Sequence, residues 1–135
     1  MNDFELSIDC GEFSIKVKNL KVSCYGAIGL MDFDYHLQLE IVTSNGKTKI
    51  IQEFSEDIGN LYFFCDSMSE LRGRDDCSLN IYQKEGFQFF EFNKSNLHFV
   101  ERAVYQRDRL NNFFIELKAC FEYLIYQYIK DHPEN

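Results

Sequence analysis

The stretch Phe33-Asp34-Tyr35-His36-Leu37-Gln38-Leu39-Glu40-Ile41 decides the fold class. Apolar side chains at 33, 35, 37, 39 and 41 alternate with polar or charged ones, and a period of two is that of a strand with one dry and one wet face. Thr43-Ser44-Asn45-Gly46-Lys47 follows. Its Asn-Gly pair suits a type I′ turn, so the chain is expected to return as a hairpin strand over residues 48–54.

Working toward the N-terminus, Phe4, Leu6 and Ile8 share one parity, and Phe13, Ile15 and Val17 repeat the alternation after Cys10-Gly11. Leu20 and Val22 fall on the opposite parity, which predicts a bulge near Lys18-Asn19. Residues 23–31, with Gly26 and Gly29, read as a loop.

Working toward the C-terminus, the period changes. Ile58, Leu61, Cys65, Met68 and Leu71 recur at spacings of three and four, Ser55 or Asp57 can cap, and Gly73 can terminate, so a helix is expected over 57–71. Leu79 and Ile81, then Phe87 and Phe89, restore alternation across Lys84-Glu85-Gly86, and a further strand over 97–106 completes a meander. Phe113, Ile115 and Leu117 read as one more short strand. Cys120, Phe121, Leu124, Ile125, Tyr128 and Ile129 then mark a helix over 119–131 that ends before Pro133, the sole proline. The pattern predicts one α+β domain over 1–135: an antiparallel twisted sheet or a two-sheet sandwich, with one internal helix and a C-terminal helix. The absence of βαβ alternation argues against a doubly wound nucleotide fold.

Composition narrows the function classes. The 135 residues are 45% apolar and carry a formal charge of -8, enough interior for a packed core and the wrong sign for a phosphate backbone, so direct nucleic-acid binding is disfavoured. The longest apolar run is Leu61-Tyr62-Phe63-Phe64-Cys65, far short of a membrane span. No basic residue precedes Lys16 and no secretory pattern opens the chain, so a cytoplasmic location is expected. Cys10, Cys24, Cys65, Cys77 and Cys120 are odd in number and form no C-x-x-C pair, which predicts thiols and no structural zinc.

Chemistry-bearing motifs are missing as well. Gly26-Ala27-Ile28-Gly29 lacks the spacing and the Lys-Ser/Thr of a phosphate loop, and His36, His98 and His132 are scattered, so neither cofactor nor metal is expected. No nucleophile segment of a known type occurs, and the pairs Asp32/Asp34 and Asp75/Asp76 read as exposed turn acids, so no catalytic residue is assigned. The adjacent aromatics Phe89-Phe90 and Phe113-Phe114, read as strand residues, would cover both faces of a sheet. Most of the acidic excess lies in the middle: residues 51–101 hold 10 of the 22 acids and 4 of the 14 bases. Within it, Asp66 and Glu70, four apart on the expected helix, and Asp75 and Asp76 beyond Gly73 form a candidate patch for a basic protein partner.

The C-terminal half has a family likeness. Phe87-x-Phe89 with Phe92, a polar turn, His98-x-Val100, a polar stretch and Asn112-Phe113-x-Ile115-Glu116-Leu117 running into a terminal amphipathic helix resemble WapI-like immunity proteins of bacterial toxin systems. The likeness covers mainly residues 79–130. It implies a cytosolic antitoxin that binds and occludes a cognate toxin domain, a basic nuclease being the expected partner, with no chemistry of its own. A phage or host regulatory inhibitor acting by acidic mimicry, and a small-ligand-binding domain, are the alternatives.

Overall fold

The computed structural model describes residues 4–25, 32–43, 46–67, 70–73, 76–95, 97–103 and 107–132. Eight strands and two helices follow one another as β1 (Leu6–Asp9), β2 (Phe13–Cys24), β3 (Phe33–Thr43), β4 (Lys49–Asp57), α1 (Ile58–Ser67), β5 (Glu70–Arg72), β6 (Cys77–Lys84), β7 (Phe87–Lys94), β8 (Leu97–Ala103) and α2 (Arg107–Asp131). They build two four-stranded antiparallel meanders, β1-β2-β3-β4 and β5-β6-β7-β8. The α+β class, the two sheets, the internal helix and the C-terminal helix are those expected from the alternation.

Phe33, Tyr35, Leu37, Leu39 and Ile41 are all buried; Leu37, Leu39 and Ile41 sit opposite Phe54, Gln52 and Ile50 of β4, and Leu39 and Ile41 opposite Val17 and Ile15 of β2. The other parity of the same strands faces outward. The parity change in β2 is a register shift between Lys18 and Lys21, where Asn19 takes a left-handed φ of 56°. The hairpin loop closes where the Thr43 N–H donates to the Thr48 carbonyl at 3.0 Å, with Gly46 at φ 72°; Asn45 lies outside the described residues, as do residues 26–31 of the expected loop.

The inner faces of the sheets enclose one core. Phe13 meets Phe90 edge-on at 5.1 Å and Phe54 meets Phe92 at 6.3 Å. The two helices close its sides, with Tyr35 against Phe121 and Phe64 against Phe114. Lys94 forms a polar strut from sheet to sheet, its ammonium donating to the buried Gln52 amide oxygen at 2.7 Å.

Three element expectations are corrected. The internal helix is described over Ile58–Ser67, Met68 lies outside the described residues, and Leu71 instead sits in β5 opposite Leu79, its burial supplied by the second sheet; helical spacing from Cys65 to Leu71 is coincidence. Gly73 therefore ends no helix. It abuts the core so closely that an added Cβ would lie 2.6 Å from the Cys77 sulfur and 2.9 Å from the Phe54 ring. The third correction is at residues 113–117, which are helix, not strand: α2 begins at Arg107 and buries Leu110, Phe113, Phe114, Leu117, Phe121 and Ile125 along one face. Ile115, which made the segment read as period two, points to solvent. The eighth strand is described over Leu97–Ala103, and residues 104–106 of the expected strand lie outside the described residues.

Of the adjacent aromatic pairs, Phe113 and Phe114 are both buried because a helix face spans them. Phe90 enters the core and Phe89 turns outward, stacked on Tyr82 at 5.6 Å. Among the described residues, no helix is long and apolar enough to cross a membrane.

Candidate protein-docking site

The surface around α1 forms from the inside out. Ile58, Leu61, Phe64 and Cys65 turn to the core, which leaves Gly59, Asn60, Phe63, Asp66 and Ser67 outside. Phe63 is 63% exposed. Its ring lines an open cavity of about 600 Å³ together with Glu56, Asp57, Asn60, Arg72 and Gly73. Arg72 is anchored to this surface by its backbone, whose N–H donates to Asn60 Oδ1 at 3.2 Å and whose carbonyl accepts the Tyr35 hydroxyl at 2.9 Å.

Asp57 is the hinge of the arrangement. One carboxylate oxygen accepts the Gly59 N–H at 2.8 Å and so caps α1; the other accepts the Tyr25 hydroxyl at 2.6 Å. The Tyr25 phenol is pushed up to about 12, first by that hydrogen bond, then by partial desolvation and by the charges of Asp57, Asp32 and Asp34. Asp34 stands directly across the ladder from Asp57. Like charges facing each other across a strand pair destabilise it. The end of the first sheet thus gathers Asp32, Asp34, Glu56 and Asp57 beside two exposed aromatic rings, Tyr25 and Phe63.

The four acids assigned from sequence do not form one unit. Asp66 lies on α1, three residues from Phe63, and its carboxylate holds the Lys118 ammonium of α2 at 3.0 and 3.2 Å, which raises the Lys118 pKa. Glu70 lies in β5, not on the helix, so the shared helical face with Asp66 is corrected; it pairs with Arg72 at 3.7 Å. Asp76 is exposed in the turn before β6 at a left-handed φ of 55°, and Asp75 lies outside the described residues.

Comparison with protein-family models, with curated proteins and with solved structures gives no match. The chemistry of the site therefore rests on the residues themselves.

A second cluster, missed in the sequence, lies on the outer face of the first sheet. His36 of β3 is bracketed by Ser23 of β2 and Ser55 of β4, each hydroxyl 2.8 Å from a ring nitrogen. A neutral imidazole has one N–H, so one serine donates to the ring and the other accepts. The cluster lines a shallow groove of about 410 Å³ with Asn19, Lys21, Gln38 and Glu53, and Asn19 donates to the Gln38 amide oxygen at 2.9 Å. Nearby, the Glu40 carboxylate is held at 3.2 Å by both Lys18 and Lys49, whose hydrogen bonds and charges lower its pKa against the effect of burial. Among the described residues no group of three His, Cys, Asp or Glu is placed to hold a metal ion. The Cys65 thiol is pushed up to about 12, chiefly by burial, which keeps it out of thiolate chemistry at neutral pH.

Proposed function

We propose that this protein is a binding inhibitor of the immunity type, which docks on a basic cognate toxin domain, a nuclease being the class that fits, and blocks it without chemistry of its own. The observation that carries the reading is the exposed Phe63 ring lining one cavity with Glu56 and Asp57, with Asp66 three residues along the same helix. Interfaces place an aromatic anchor at the centre and complementary charge around it, the anchor supplying affinity and the charge steering encounter. Asp57 is already fixed by the α1 cap and by Tyr25, so docking orders little that is not ordered beforehand. The partner supplies lysines or arginines of the kind that hold phosphate in a nuclease cleft, and the carboxylates at this end of the sheet take the place of the phosphate. The test is co-expression: a toxin domain encoded beside this chain arrests growth alone and is silenced by it, and Phe63→Ala with Glu56→Lys loses the protection. Protection unchanged by that double variant rules out this surface. A partner that proves to be a host defence nuclease favours the regulatory inhibitor.

The groove around His36 supports a second reading, a small polar ligand held by Ser23, Ser55 and Lys21. Titration of the free protein with phosphate monoesters and sugars, followed by the His36 ring signals, separates the two; saturable shifts favour the ligand-binding domain.

A further inference from the structure

The outward face of α2 carries an apolar seam that no described element covers. Ile115, Ala119, Glu122, Tyr126 and Ile129 follow one another at spacings of four, three, four and three, the repeat of a coiled-coil seam. All five are exposed, Ile115 at 64% and Tyr126 at 60%, while the opposite face of the same helix is buried in the core. Ile115 and Tyr126 leave most of their apolar surface outside this chain's own packing.

We infer that α2 pairs antiparallel with α2 of a second copy through this seam. The sequence is self-complementary about Glu122. In that register Ile115 meets the partner's Ile129, seven residues to either side of the centre, and Ala119, three residues before the centre, falls beside the partner's Tyr126, four residues beyond it, a small side chain against a large one. Charge complementarity sets the direction: Glu116 and Lys130, both exposed, flank the seam on the same side, and antiparallel pairing brings each to its opposite on the other copy. Parallel pairing would set the two copies of Glu116 on opposite sides of the seam and bring neither of them to a Lys130. Tyr123 lies beside the axis, braced edge-on by Phe4 at 5.6 Å. The cost sits at the centre, where the two Glu122 carboxylates meet, each one turn from Lys118 of its own helix, whose ammonium senses it. A seam of four turns on a single helix buries less than a standard interface, so the dimer is weak.

Sedimentation equilibrium of the full chain over a range from micromolar to millimolar tests this. The expected result is a monomer–dimer equilibrium that Ile115→Glu shifts to monomer with the circular dichroism spectrum unchanged. Glu122→Gln tightens the dimer about tenfold by removing the like-charge pair. Glu116→Lys and Lys130→Glu each weaken it, and the two together restore it. A monomer throughout the range overturns the inference. So does a dimer indifferent to Ile115→Glu, and failure of the charge swap to restore association overturns the antiparallel register.

Discussion

Tyr25 and Asp57 are bonded hydroxyl to carboxylate at 2.6 Å across the end of the first sheet, and the same carboxylate caps α1. One side chain therefore fixes both the start of the helix that carries Phe63 and an aromatic ring beside the cavity.

The bond sets the titration of Tyr25. Its phenol is expected to ionise near pH 12, against an ordinary value of 10. Because the folded value is raised, the contribution to stability is complete below pH 10 and is lost as pH climbs through 12. Asp57→Asn brings the value back toward 10 and retains much of the cap; Asp57→Ala also costs about 1 kcal/mol of cap stability. NMR titration of the Tyr25 ring and chemical denaturation of both variants measure the two effects.

Glu40 works in the opposite direction. Lys18 and Lys49 hold its folded pKa below the ordinary value, so its stabilisation is present at neutral pH and fades as pH falls through the acidic range. Glu40→Gln is expected to lower stability by about 1 kcal/mol at pH 7, with the gap closing at low pH, where the native side chain is protonated too. Urea unfolding of both proteins across that range checks it.

Gly73 is a packing residue. With the Cys77 sulfur and the Phe54 ring in the volume that a Cβ would need, Gly73→Ala is expected to destabilise the fold by about 1–3 kcal/mol. Ala at Gly86, a left-handed position with open space around it, costs about 1 kcal/mol from the backbone alone. Thermal denaturation of the two variants separates steric crowding from conformational strain.

How far the sequence speaks is plain in four places. Residues 33–41 carry their strand unambiguously because one face is buried along the whole run and the other is wet. Residues 107–117 mislead because Phe113, Ile115 and Leu117 alternate by chance; the helical signal lay in Leu110, Phe114 and Leu117, and it competes with the strand signal inside a short window. The surface proposed for docking is legible only in part. Acidity in the middle of the chain pointed to α1 and to Asp66, yet Asp34 and Tyr25 join the patch only through strand pairing, 23 and 32 residues from Asp57, and register across a sheet is invisible to local periodicity. The bracket of Ser23 and Ser55 around His36 was hidden for the same reason.

The docking claim turns on Phe63 and the acids around it. The decisive measurement is calorimetric affinity for the cognate toxin domain at two salt concentrations, comparing the native chain with Phe63→Ala and with Asp34→Lys plus Glu56→Lys. These substitutions leave Asp57, and with it the cap on α1, in place. The account predicts a loss of about 2 kcal/mol, roughly 30-fold, for Phe63→Ala at both salt concentrations, and a weakened, less salt-dependent affinity for the charge variant. Native affinity and native salt dependence in both folded variants would contradict it.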